Sequence, residues 1–303
     1  MTRVWLPEPA QKTGGLPEGM VADVWTGGEP LPGSADEVEV IVLPFGVPEQ
    51  LVAKVARLPR LRLMQLMSAG AEKIIPHIPP GVTLCNARGA HDPAVAEWIV
   101  GVIIAELRGF PRALAAQREG RWDFAPAQSV AGKHVLIVGY GSIGAATERR
   151  LDGFGVTIER IARHARPGVL GMEELPAALP RADVVILLVP VTPETTSLAD
   201  AKFLAAMKDG ALLVNAARGA VVDTGALLAE LSSGRIRAAL DVTDPEPLPE
   251  GHPLWSAPGL LLTPHIAGAV AEARPRAYAI VRAQLARYAA GEPLENIVND
   301  RGY

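Results

Sequence analysis

One cysteine in 303 residues excludes an internal disulfide. That residue, Cys85, lies in the strand-like run VTLCNA and reads as a small buried hydrophobe, in keeping with the reducing cytoplasm where we expect the protein to work. Long apolar runs are also missing. A stretch such as VAEWIVGVIIAEL (Val95 to Leu107) is too short for a bilayer and is interrupted by Glu97 and Glu106, so no membrane partner is expected. The opening MTRVWLPEP lacks the pattern of a signal peptide. Neither sign of charge dominates: 29 Lys and Arg against 33 Asp and Glu leave a net charge of -4. Without a basic surplus to neutralise phosphates, no nucleic-acid partner is expected either. There is no internal repeat, no low-complexity tract and no expected metal site.

What is present is core-forming material, 49% hydrophobic and distributed in alternating short β-rich and helical segments. That alternation argues for βαβ units and parallel sheet, hence an α/β protein of two domains. Strands are expected at RVWLP, VADVWT, VEVIVLPF, RLRLMQLMS and VTLCNA, with a helix over PEQLVAKVARL. From His91 to Trp122 the apolar spacing turns helical, with Asp92 as N-cap and Pro93 in the first helical position. A second strand series follows at HVLIVG, VTIERIA, ADVVILLVP, GALLVNA, IRAALDV and LLLTPH. The helical stretch from Ala269 to Ala290 is long enough to return the chain to the first domain, whose surface the tail EPLENIVNDRGY would complete.

HVLIVGYGSIG sets Gly139, Gly141 and Gly144 in G-x-G-x-x-G spacing, directly after a strand and before a helical pattern. The first glycine permits a tight turn, the second lets a pyrophosphate approach the backbone, and the third lets helix and strand pack closely. The helix N-terminus then offers free N–H groups to the phosphates. In such a fold the next strand usually ends in an acid that binds the ribose diol. Here that position is Ala162, followed by Arg163, His164 and Arg166. These cations suit an added 2'-phosphate, and so NADP rather than NAD; the plain alternative is a set of solvated loop cations.

Three later strands end in VNAARGAVVD, ALDVTDPEP and LLTPHIAG, at the edge where open α/β sheets collect their ligands. Arg218, Glu246 and His265 each have an ordinary reading when taken alone. Together they supply a cation for a substrate carboxylate, a group that titrates near neutrality and an acid to pair with it. Those are the parts that reversible oxidation of a 2-hydroxy acid needs, in which a base takes or returns the hydroxyl proton while a nicotinamide exchanges hydride.

The order of these motifs resembles the D-isomer-specific 2-hydroxyacid dehydrogenases. The likeness extends to LMSAGAEKI, VAEWIVGVIIAELR and LLVPVTPETTSL, and covers most of the chain. It implies a Rossmann dinucleotide-binding domain over residues 95–270, inserted into a smaller flavodoxin-like parallel-sheet substrate domain of residues 1–94 and 271–303. By resemblance Arg218, Glu246 and His265 are the catalytic residues and Asp241 binds the nicotinamide carboxamide. Backbone groups of Ser68, Ala69 and Gly70 join Arg218 in holding the substrate carboxylate. Tyr140, Ser142 and Ile143 lie over the phosphates, Pro190 and Thr195 near the adenosine, and Ala216 near the nicotinamide ribose.

Departures from the family pattern narrow the expectation. Glu246 argues against a formate dehydrogenase, and Ala69 stands where the phosphite-oxidising branch has lysine. Trp98 follows Glu97 where many members have histidine. Ala162 agrees with NADPH-using glyoxylate and hydroxypyruvate reductases. The expected protein is therefore a cytoplasmic homodimer, joined through helices between His91 and Trp122, that reduces a small 2-keto acid to the 2-hydroxy acid with NADP(H). The alternatives are an NAD(H)-using enzyme of the same family and a non-enzymatic, nucleotide-sensing protein like the corepressors of this fold.

Overall fold

Strand β3 (Val38–Leu43) shows how the first sheet is made: Val40 and Val42 enter one core while Ile41 and Leu43 enter another, so both faces are covered. The computed structural model describes residues 1–298 of the chain. It divides into two units, Met1–His91 with the described part of Val270–Tyr303, and Asp92–Ala269.

In the first unit β1 (Thr2–Leu6), β2 (Met20–Val24), β3, β4 (Leu63–Leu66) and β5 (Thr83–Cys85) form a parallel sheet in the order β2-β1-β3-β4-β5. That order, 2-1-3-4-5, is the flavodoxin-like arrangement. A short helix, α1 (Ala10–Thr13), follows β1. After β3, α2 (Glu49–Val55) covers one face with Val52 and Val55.

The second unit opens with α3 (Asp92–Leu107) and α4 (Phe110–Arg118). Then come β6 (His134–Val138), α5 (Ser142–Leu151), β7 (Thr157–Ile161), α6 (Leu175–Ala178) and β8 (Val184–Leu187). They are followed by α7 (Ala201–Ala206), β9 (Leu212–Asn215), α8 (Thr224–Ser232), β10 (Arg237–Leu240) and β11 (Leu260–Leu262). All strand pairs are parallel, in the order β11-β10-β9-β8-β6-β7. The order reverses between β6 and β8, which opens the crevice a dinucleotide uses. Leu136 and Val138 face one core, Val135 and Ile137 the other, where α3 adds Ile99 and Ile103.

The fuller Rossmann order has a strand beyond β7; here only Leu170 bridges Ile161 on that side. As an edge strand, β7 accommodates the polar Glu159 and Arg160 that break its apolar pattern, and they pair at the surface with His134 and Glu148.

Helix boundaries differ from the sequence expectation. The helical pattern from His91 to Trp122 is two helices, because Gly109 takes a left-handed φ of 69° and Pro111 restarts the helix beyond it. The first of them begins at Asp92 itself, so Asp92 sits in the opening turn rather than before it. The returning helix α9 (Ala273–Ala290) starts four residues later than Ala269 and ends at the left-handed Gly291. Ala277, Tyr278, Val281 and Leu285 of α9 fill the core beside Val4 and Leu6. In the tail, Val298 N–H donates to the Leu84 carbonyl at 2.8 Å, and Ile297 bridges Cys85; residues 299–303 of that tail lie outside the described residues. Among the described residues no helix is long and apolar enough to cross a membrane, and no group of three or more His, Cys, Asp or Glu could hold a metal ion.

Candidate active site

Because the strands of the second sheet are parallel, the loops after β9, β10 and β11 leave from one edge, side by side. At the end of β9 the buried Asn215 winds the chain back on itself: its Nδ2 donates to the Arg218 carbonyl at 2.9 Å and its Oδ1 accepts from Ala217 N–H at 3.0 Å. Arg218 is half-buried, with Nη1 donating to the Ala217 carbonyl at 2.7 Å. The next residue has to be glycine, since a Cβ on Gly219 would lie 1.9 Å from the Thr243 carbonyl oxygen. The loops that carry Arg218 and Glu246 thus meet backbone to backbone.

Asp241, directly after β10, is 3% exposed. Its carboxylate accepts from the Thr263 hydroxyl at 2.6 Å and from the N–H groups of Ile266 and Ala267 at 2.8 and 2.9 Å. Its carbonyl accepts from His265 N–H at 2.7 Å. This cage holds His265 at φ 55°, a left-handed conformation that a residue with a Cβ adopts only under constraint. The imidazole Nδ1–H donates to Glu246 Oε1 at 2.5 Å. With Nδ1 committed to the carboxylate, Nε2 is the ring nitrogen left for a substrate, on a side chain half exposed to solvent.

At the other end of this edge, the turn between β6 and α5 is held by the end of β7. Gly139 and Tyr140 N–H groups both donate to the Ile161 carbonyl, at 2.9 and 2.8 Å. Gly139 has φ 98°, and a Cβ there would come within 2.6 Å of the Leu188 and Val189 backbone. A Cβ on Gly144 would press on Ile137 and Tyr140 at 3.2 Å, whereas one on Gly141 would meet open space. Gly139 thus serves the turn and Gly144 the helix packing, while the space at Gly141 is what a ligand approaching the backbone would need. No side chain caps α5, while Asp200 and Asp223 cap α7 and α8. Ser142 and Ile143 stand in the uncapped first turn, whose N–H groups suit a phosphate.

Past β7, Ala162 is buried and the cations follow it. Arg166 Nη2 donates to the Tyr140 carbonyl at 2.6 Å. Arg163 lies near the loop after β8: the Glu194 carboxyl is held below its usual range chiefly by the Thr192 hydroxyl, with Arg163 adding to the effect. His164 is exposed. In that loop the Thr195 hydroxyl donates to the Pro190 carbonyl at 2.6 Å, and Ala216 N–H, after β9, reaches the Leu187 carbonyl at 3.4 Å. The second unit so brings Arg218, Glu246, His265, Asp241, Ala216, the glycine turn and the cations to one edge of one sheet.

Ser68, Ala69 and Gly70 belong to the first unit, just past β4. Asn86 Nδ2 donates to the Ala69 carbonyl at 2.8 Å and Ala87 N–H to the Ser68 carbonyl at 2.9 Å. Sequence reasoning missed Asn86 and Asn215; an Asn at or just past a strand end, in VTLCNA and VNAARG, is the signal that could have found such loop-winding residues.

Residues 100–267 match the family model described as the NAD binding domain of the D-isomer specific 2-hydroxyacid dehydrogenases. A glyoxylate reductase of Thermofilum pendens is 37% identical over 80% of this chain and 76% of its own length. A D-3-phosphoglycerate dehydrogenase of Methanocaldococcus jannaschii is 34% identical, but the match spans only 43% of that longer protein. Among solved structures, a D-isomer specific 2-hydroxyacid dehydrogenase from Xanthobacter autotrophicus, in complex with NADPH, superposes with TM-score 0.86 at 31% identity, covering 100% of this chain and 99% of that one. An NADPH-dependent glyoxylate/hydroxypyruvate reductase from Sinorhizobium meliloti, in complex with NADP, gives TM-score 0.86 at 25% identity over 100% of both chains.

Proposed function

The chain belongs to the D-isomer-specific 2-hydroxyacid dehydrogenase family, and from that premise we propose that it reduces a small 2-keto acid of the glyoxylate or hydroxypyruvate type with NADPH, as a cytoplasmic homodimer. The observation that carries this reading is the 2.5 Å bond from His265 Nδ1–H to Glu246, at the same sheet edge as the glycine turn. The residues present fit the dinucleotide: open space at Gly141, an uncapped α5 and the Arg166 guanidinium beside Tyr140 supply an approach, N–H donors and a cation. When bound, NADPH supplies the hydride.

The chain's own residues do the rest. Arg218 holds the substrate carboxylate and polarises the neighbouring carbonyl, with the backbone of Ser68, Ala69 and Gly70 as second holder. His265 gives the Nε2 proton to the carbonyl oxygen as it becomes a hydroxyl, and takes it back in the reverse direction. Glu246 keeps the other ring proton on Nδ1, which fixes the tautomer, and offsets the imidazolium charge before transfer. Asp241 keeps the His265 loop in place from beneath and presents its carboxylate to the nicotinamide carboxamide. The named relatives are reductases and dehydrogenases, which does not favour a corepressor-like role.

Incubating the protein with NADPH and a panel of 2-keto acids, followed at the nicotinamide absorbance, tests the activity. His265→Ala and Arg218→Ala should each lower kcat/KM by about 10²-fold or more with the fold intact. Near wild-type turnover in both variants would refute the assignment. Removing Arg163 and Arg166 together should weaken NADPH far more than NADH; equal losses would reject the 2'-phosphate reading.

A further inference from the structure

The glycine turn carries a side chain that the dinucleotide fingerprint does not call for. Tyr140, between Gly139 and Gly141, donates its phenol to Glu148 Oε2 of α5 at 2.5 Å. Glu148 is gripped in turn by Arg160 of β7, whose Nε donates to Oε2 at 2.7 Å and whose Nη2 donates to Oε1. Burial and the adjacent Glu148 push the Tyr140 phenol up, so it stays a donor. Both the Arg160 and the Arg166 guanidinium lie over the Tyr140 ring, 5.7 and 5.8 Å from its centroid.

The charges in this group do not cancel. Glu148 matches Arg160, whereas Arg166 has no carboxylate within ion-pair distance among the described residues. Arg163, by comparison, has Glu194 nearby. The backbone of Arg166 is equally fixed: its N–H and carbonyl exchange hydrogen bonds with Val169 at 2.9 and 2.8 Å across a turn of Pro167 and Gly168, the latter at φ 77°. An uncompensated guanidinium is thus held between the glycine turn and the end of β7. An exposed arginine ordinarily loses much rotamer freedom when it grips a ligand. Here the Tyr140 ring and carbonyl restrict it in advance.

We propose that Tyr140 is a positioning residue for cofactor selectivity, its ring and carbonyl holding Arg166 for the 2'-phosphate of NADPH while Glu148 and Arg160 hold Tyr140. The proposal rests on the NADPH reading above, and assigns the preference to Arg166 rather than equally to Arg163, His164 and Arg166.

The test is the ratio of Kd values for NADPH and NADH, with 2',5'-ADP and 5'-AMP as fragments, measured by calorimetry on the full chain. Arg166→Ala should lower the NADPH preference by about 10-fold or more. Tyr140→Leu, which keeps the carbonyl but removes the ring, should lower it by about 3- to 10-fold, with NADPH and 2',5'-ADP losing more than NADH and 5'-AMP. Tyr140→Phe should keep most of the preference, and Tyr140→Leu should add nothing in an Arg166→Ala background. Should Tyr140→Leu not fold, Glu148→Gln, which loosens the phenol, should move the ratio in the same direction by about 2-fold; an unchanged ratio there overturns the proposal. Parallel losses of NADPH and NADH in Tyr140→Leu, or an additive loss on top of Arg166→Ala, overturn the positioning role alone. A wild-type preference for NADH overturns the NADPH reading and the positioning role with it; an Arg166→Ala ratio equal to wild type, with NADPH still preferred, overturns the positioning role alone.

Discussion

A methyl group placed on Gly139 and one placed on Gly141 should have opposite consequences. At Gly139 it meets the Leu188 and Val189 backbone within 2.6 Å, on a residue already at φ 98°. Gly139→Ala should therefore lower unfolding stability by about 3 kcal/mol, read from the denaturant midpoint. Gly141→Ala enters open space, so stability should hold while cofactor Kd rises by about 10-fold or more. Glu246→Gln should lower kcat by about 10²-fold or more with little change in KM, because an amide can present N–H to Nδ1 and favour the wrong tautomer. Arg218, Glu246 and His265 were legible in the sequence because each follows a strand by a few residues, in a segment rich in glycine or proline. The side chain of Tyr140 was not, since what it does depends on a partner that the folded chain brings near, Glu148 of α5.

At the level of elements, α3 carries a group that works against folding. Burial pushes the Glu106 carboxyl up to about 6, although Arg237 pulls it down. Its Oε1 has no hydrogen-bond partner among the described residues. A folded-state value above the ordinary 4.5 means that folding favours the protonated acid. The stabilisation is complete below pH 4.5 and is lost as pH rises through about 6. Glu106→Gln should thus be more stable than wild type by about 1 kcal/mol at pH 8, and the difference should vanish near pH 4 in parallel urea titrations. The sequence showed the helical spacing of apolar residues here, but not where the helix stops, since the break depends on the φ of Gly109. The unexpected polarity of β7 likewise made sense only once it was an edge strand.

For the whole molecule, self-association is the property the surface of the second unit speaks to most directly. Trp122 and Phe124, a few residues past α4, are 95% and 85% exposed, and Phe110 and Leu114 of α4 are about half exposed. Apolar patches of this kind mark interaction surfaces. On the homodimer reading proposed above, Trp122→Glu with Phe124→Glu should halve the mass seen in sedimentation equilibrium; a dimer unchanged by both would move the interface elsewhere. The chain passes between its units only twice, after His91 and after Ala269. Every group proposed for proton transfer and for cofactor choice lies inside that one continuous insert, while the host portion is proposed to supply a substrate-holding loop. Such an insert is a cassette: evolution, or a protein engineer, can graft a different host around it and change which acid is reduced without rebuilding the machinery of reduction.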